Sequence, residues 1–153
     1  MDNIMHLNQK ILKTLSKNTQ SNQEYFDKNH NIQLQIDCNF CENYSNFSQN
    51  IFFWIYNIKI TNYDKKPIKL LNRFWRIMSN DGHIEEYSGE GVIGQQPIIK
   101  PHETFEYSSG VNLNCPSGIM GGHYQIKKEE QNFFLNIPNF SLDSPFSSNL
   151  SLH

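Results

Sequence analysis

The sequence predicts an all-β chain, a single antiparallel β-sandwich, on three observations. From Ile32 onward apolar residues recur with a period of two. The apolar runs are short and separated by pieces rich in Gly, Pro, Asn and Asp. No amphipathic helical period intervenes to supply the crossovers of a parallel sheet.

Taken in order, residues 1–31 form a polar, Asn/Gln/Lys-rich extension. Within it Ile4, Leu7, Ile11, Leu12 and Leu15 fall at helical spacing. A short amphipathic helix on a loosely docked extension fits this pattern better than a transit peptide, because the segment has no arginine and few serines. Removing residues 1–28 is therefore expected to leave the domain folded. Ile32, Leu34, Ile36 and Cys38 then alternate with polar residues as a strand with one buried face. Between Ile51 and Thr61, Phe52, Trp54, Tyr56, Ile58 and Ile60 form one apolar face, and Ile51, Phe53 and Ile55 add burial on the other, as in a central strand. Ile68 to Ser79 is the next strand. Asn80-Asp81-Gly82 turns it into His83–Tyr87, Asp-Gly being a dipeptide suited to positive φ. Later strands are predicted near Thr104–Ser108, Ile119–Ile126 and Asn132–Ile137, separated by turns holding Pro97, Pro101 and Pro116. Residues 32–143 make the domain and 144–153 a C-terminal tail.

Composition narrows the partners. A net charge of −2 and a pI near 6.3 supply no basic footprint for a nucleic-acid duplex. No apolar run approaches the roughly 20 residues of a membrane-spanning helix, so no membrane partner is expected. The odd set Cys38, Cys41 and Cys115 points to a reducing compartment, the cytoplasm. Cys38-x-x-Cys41 has neither the helix N-terminus that lowers a redox thiol nor a second pair to complete a zinc shell, and reads as ordinary thiols. Arginine survives only at Arg73 and Arg76, flanking Trp75 in a lysine-favouring background, which suggests a local use for its planar fork.

The densest motif is Gly89-Glu90-Gly91-Val92-Ile93-Gly94. Its G-x-G-x-x-G spacing is not followed by a helix, and Pro97 opposes one, so a dinucleotide fold is not indicated. Two readings stand: a strand-crossing bulge, or a nest whose amides hold an anion with Arg73 as a bidentate partner. In the second, Gly89, Gly91, Gly94 and Arg73 are the anion-binding residues, and weak phosphate or pyrophosphate binding without hydrolysis is expected. His83, His102 and His123 lack ligand spacing. Glu85 and Glu86 point to opposite faces of a strand, so with Glu90 they suit a solvated edge better than a cation site. Ser108, Ser109 and Ser117 lie in turn-like segments, none in a nucleophile elbow. No catalytic residue, metal site or cofactor is expected. The aromatics Phe52, Phe53, Trp54, Phe74 and Trp75 exceed what one face of a small sheet must bury, which leaves material for an exposed patch.

Read together, Leu70-Leu71-x-Arg73-x-Trp75, Gly89-x-Gly91-Val92-x-Gly94-x-Gln96-Pro97, Phe105-x-Tyr107-x-Ser109-Gly110 and Pro116-Ser117-Gly118-x-Met120-x-Gly122-x-Tyr124 resemble the ApaG family. The resemblance covers about residues 32–143, through Phe133-x-Leu135-x-Ile137-Pro138-x-Phe140-x-Leu142. It implies an immunoglobulin- or fibronectin type III-like sandwich. Phe74 stands where the family commonly has histidine, His102 where glycine is usual, and Cys115 where threonine is usual. The resemblance also implies a role linked to cobalt tolerance and magnesium homeostasis. The resulting expectation is a non-enzymatic cytoplasmic binding module for an unidentified protein or a small anionic ligand. A nucleotide- or pyrophosphate-binding sensor or enzyme is the alternative, and an uncovered edge strand would add a homo-oligomer.

Overall fold

A computed structural model describes residues 9–10 and 21–147. Its strands are β1 Ser21–Asp27, β2 Ile32–Phe40, β3 Phe52–Asn62, β4 Ile68–Ser79, β5 Ile84–Glu90, β6 Ile98–Ile99, β7 Thr104–Leu113, β8 Gly118–Lys128 and β9 Gln131–Leu142. One sheet runs β1-β2-β3-β7 and the other β5-β4-β8-β9, with β6 pairing on β4. Every pairing is antiparallel. The sheets pack face to face as the expected sandwich.

Alternation decides the inner face. Trp54, Tyr56, Ile58 and Ile60 of the central β3 are fully buried, opposite Leu34, Ile36 and Cys38 of β2 in register. From the second sheet Leu70, Trp75, Ile77, Met120, Tyr124, Leu135 and Phe140 close the same core. Aromatic rings interleave across the layers: Trp75 meets Tyr56 at 5.4 Å, Phe140 at 6.1 Å and Tyr124 at 6.4 Å, all at steep angles. The indole Nε1 of Trp75 is buried without a hydrogen-bond partner among these rings. The Tyr107 and Tyr124 hydroxyls share a hydrogen bond in the same buried layer.

β4 and β8 approach so closely that a Cβ on Gly122 would lie 1.9 Å from the Phe74 carbonyl oxygen, a contact only glycine avoids. Two irregularities bend this sheet, at Leu70/Asn72 on the β4 side and near Gly121 where β9 carries Pro138. A proline, which cannot donate to a ladder, fits at a bulge on an edge strand. The Asn80-Asp81-Gly82 turn forms as expected, with Gly82 N donating to Ser79 O and Ser79 N to His83 O. Only Gly82 has positive φ, so this is a longer turn than the two-residue hairpin that Asp-Gly suggests.

The lower boundary of the domain differs from the sequence expectation. Ser21–Asp27 pairs with β2 along its length, Ser21 opposite Cys38 and Asp27 opposite Ile32, so part of the 1–31 extension belongs to the sheet. Asp27 fixes the turn by accepting from Asn29 N at 2.9 Å and contacting the His30 ring at 3.1 Å. That ring stacks on Phe133 at 3.6 Å and ties the β1 edge to β9. The strand hides in the sequence because an edge needs only one packed face: Tyr25 touches the core and Phe26 is exposed. The start of the tail docks too, since Trp54 Nε1 donates to Asp143 O and Phe146 packs on Phe40, Phe47 and Phe52. The apolar stripe from Ile4 to Leu15 lies outside the described residues.

Two outcomes follow. Deleting residues 1–28 strips β1 from the ladder. With each hydrogen bond worth about 1 kcal/mol net, stability should fall by about 3 kcal/mol or more in chemical denaturation, and the bared β2 edge should promote association. An unchanged midpoint would return β1 to the extension. The second concerns alkali. Burial pushes the Tyr56 hydroxyl up to about 12 and raises Tyr107 and Tyr124 well above the ordinary value. A folded-state value above the unfolded one stabilises fully below the unfolded value, about pH 10 for tyrosine, and is lost as pH rises through the folded value. Stability should therefore decline steeply above about pH 10, and tyrosinate absorbance should show these three hydroxyls ionising only on unfolding.

Candidate functional site

Beyond the Leu70/Asn72 irregularity, β4 turns Trp75 and Ile77 into the core and leaves Asn72, Arg76 and Met78 exposed with Phe74 half-buried. Phe74 faces His123 of β8 across the ladder, their rings stacked at 4.9 Å and 20°. Phe134 of β9 meets the same histidine edge-on at 4.8 Å, and 66% of it is exposed. The three rings form a shelf beside a concavity of about 430 Å³ lined also by Asn72, Arg73, Ser88, Gly89, Glu90 and Gln125. Asn72 Nδ2 donates to Gln125 Oε1 at 2.5 Å on its rim. Further along the face, Met78 stands opposite both Ile84 and Ile119, and all three are more than two-fifths exposed. This is an aromatic step and an aliphatic step on one sheet surface, separated by Arg76 and Glu86, which stand opposite one another.

The structure brings Arg73, Gly89 and Gly91 together, with a polarity that differs from the anion-nest expectation. Arg73 lies opposite Gly89, where an added Cβ would come within 2.9 Å of Nη1. Its Nη1 donates to the carbonyl oxygens of Gly91 at 2.9 Å and Glu90 at 3.2 Å. Carbonyls, not amides, meet the guanidinium. The loop amides have intramolecular acceptors: Gly91 N donates to Leu71 O, Val92 N to Gln95 O and Gln95 N to Val92 O. Val92 is fully buried, while Ile93 and Gly94 both have positive φ, so the string is a tight turn that plugs one side chain into the core. Gly91 itself has φ +64, and a Cβ there would strike Gln95 O at 2.1 Å. Gly94 has open space around it and does not join the cluster. Arg73 is thus a clamp on the turn. These contacts favour the structural reading of Gly89, Gly91, Gly94 and Arg73 over the anion nest, since Arg73 Nη1 and the Gly91, Val92 and Gln95 amides are engaged within the chain.

The other candidates disperse. Among the described residues no group of three His, Cys, Asp or Glu side chains could hold a metal ion. His83 lies 3.3 Å from Glu85, whose other oxygen accepts from the Tyr87 hydroxyl at 2.5 Å. His102 donates its backbone N–H to Asn62 O. Ser108 accepts from Asn57 Nδ2, and the Ser117 carbonyl accepts from Asn80 N. The three cysteines are buried and unpaired. Burial raises the Cys38 thiol well above its ordinary value and Cys41 to about 11, opposite to the shift a reactive thiol requires. No helix among the described residues is long and apolar enough to cross a membrane.

Phe134, Asn72, Ser88 and Gln125 were not singled out by sequence. One signal was present: Phe133 and Phe134 are adjacent in a strand, so one of them must face away from the core.

Relatives share this framework. A family model described as ApaG domain matches residues 42–128. Protein ApaG of Methylocella silvestris is 47% identical over 116 residues, 75% of this chain and 89% of the relative. Protein ApaG of Agrobacterium fabrum is 42% identical over 115 residues, 74% and 88% of the two chains. A Bordetella pertussis protein solved by crystallography under the designation ApaA superposes with a TM-score of 0.72 at 34% identity, covering 75% of this chain and 94% of its own. The family model spans the clamp, the buried turn and strands β4 and β8, and with these identities over three quarters of its length the chain belongs to the ApaG family.

Proposed function

We propose that this protein is a non-enzymatic, cytoplasmic binding module that holds a protein partner on the outer face of the β5-β4-β8-β9 sheet. The observation that carries this reading is the Phe74–His123–Phe134 shelf, which leaves aromatic area uncovered beside a polar-rimmed concavity. Aromatic anchors in a recess, ringed by polar groups, are the anatomy of a protein-binding hot spot. Phe74 takes a position where the family commonly has histidine, which makes the step more apolar. The family's association with cobalt tolerance and magnesium homeostasis would then act through the partner, since the reading needs no metal ligand of this chain. Buried, unpaired cysteines suit a reducing compartment.

Affinity capture from native cytoplasm tests the shelf with two surface variants. Phe134→Ser removes the exposed ring, and Ile98→Ser removes a 62% exposed side chain from β6 as a control. At least one protein retained by the wild type should fall by about tenfold with Phe134→Ser, about 1.4 kcal/mol, and persist with Ile98→Ser. Equal retention by both variants would reject the shelf. A pyrophosphate titration to about 1 mM, a range that reads weak binding, should leave the Gly91 and Val92 amide resonances unmoved. Arg73→Lys should lower stability by about 1–2 kcal/mol through loss of its two carbonyl contacts. A saturable shift of those amides, abolished in Arg73→Lys, would instead favour the anion-binding alternative.

A further inference from the structure

β5 pairs with β4 on one side and is the last strand of its sheet on the other. At one end of the pair Ser79 N donates to His83 O, at the other Gly91 N donates to Leu71 O, and the register between them runs without a slip. Alternation therefore turns the backbone of Glu85, Tyr87 and Gly89 toward β4 and that of Ile84, Glu86 and Ser88 outward. Among the described residues these outward N–H and C=O groups have no partner. The β7 edge differs: there the Gln9 side chain donates to Ser108 O and accepts from Ser108 N, each at 2.8 Å.

The side chains of β5 select the strand that could complete the ladder. Residues 81–90 hold Asp81, Glu85, Glu86 and Glu90 and no lysine or arginine. Glu85 is engaged by His83 and Tyr87. Arg76 stands opposite Glu86, yet Glu86 and Glu90 form no ion pair among the described residues. Both share the outer face with Ser88, which stands opposite Phe74 of the shelf. A like-charged strand, a second β5 included, is repelled at both carboxylates, whereas a basic one gains a cross-strand pair at each.

We propose that β5 is extended by an antiparallel strand of the protein partner, a segment with lysine or arginine opposite Glu86 and Glu90 and an apolar residue opposite Ser88. This rests on the reading of a protein partner on this sheet and names how the partner is held. Directly opposed residues share a face, so the apolar side chain lies beside Ser88 and extends the row that runs through Phe74 to His123. Main-chain hydrogen bonds to Glu86 and Ser88 supply the attachment, and the two carboxylates supply the selectivity.

The test titrates full-length protein with the capped peptide Thr-Lys-Thr-Val-Thr-Lys-Thr to about 1 mM, a range that reads weak binding. The Ile84, Glu86 and Ser88 amides should shift saturably and exchange hydrogen at least tenfold more slowly, while Glu85 and Tyr87, already bonded to β4, keep their rates. N-methylation of the peptide valine, which faces Ser88 O, should abolish the shifts without any change in the protein. Glu86→Lys/Glu90→Lys should weaken the lysine peptide at least tenfold and admit its glutamate counterpart. Unmoved Ile84, Glu86 and Ser88 amides would overturn the edge, and shifts confined to His123, Gln125 and Phe134 would do so while leaving the shelf intact. Protection of the same edge amides by self-association without peptide would overturn it in favour of a second copy. Conversely, edge shifts that persist in Phe134→Ser support the edge even if that variant retains every captured protein and the shelf falls.

Discussion

The separation and register of the two sheets rest on the interlocked rings of Tyr56, Trp75, Tyr124 and Phe140. Trp75 meets the other three rings at steep angles and Tyr56 also meets Phe140, so neither sheet can slide without opening a void next to a large side chain. Such pairs contribute about 0.5–1.5 kcal/mol each beyond their buried area, and their shape fixes one arrangement where aliphatic side chains would tolerate several. Leaving the Trp75 indole N–H without a partner costs about 1–3 kcal/mol, which the surrounding ring contacts offset.

That register reaches the surface through β4. Trp75 holds the strand from inside, and the irregularity at Leu70/Asn72 sets which of its residues face out. Phe74 then meets His123, while Arg73 reaches the turn that seats Val92. The clamp and the shelf are adjacent residues on opposite faces of one strand. A change in the core at Trp75 would therefore disturb both, and Arg73 and Gly89 line the same concavity as the shelf rings. Gly122 enforces the same link, because any side chain there would push β8 off β4 at the Phe74 carbonyl.

The four sheet edges are closed by different means. β1 is joined to β9 by the His30–Phe133 stack, β9 carries a proline at a bulge, and β7 has the Gln9 amide on Ser108. β5 presents Glu86 and Glu90, charges that discourage a neighbouring strand. The open surface left by this arrangement is the outer face of the five-stranded sheet, where Met78, Ile84, Ile119 and Phe134 stay exposed.

The sandwich was legible in the sequence because two-residue alternation is a local property: Trp54, Tyr56, Ile58 and Ile60 had to share a face, and that face had to be buried. The same logic made Asn80-Asp81-Gly82 a turn, and the ordered glycine and tryptophan motifs revealed the family. β1 escaped because an edge strand with one packed face leaves almost no periodic signal. The glycine string and Arg73 were recognised as a unit, but whether amides or carbonyls meet the guanidinium depends on backbone orientation across two strands. The shelf was beyond reach for a related reason. Phe74, His123 and Phe134 sit on three different strands, and only the registers of β4, β8 and β9 put their rings together. The sequence alone determined which side chains must be buried; tertiary structure decided which of the rest become neighbours, because strand register is set by the packing of the whole core and not by any one segment.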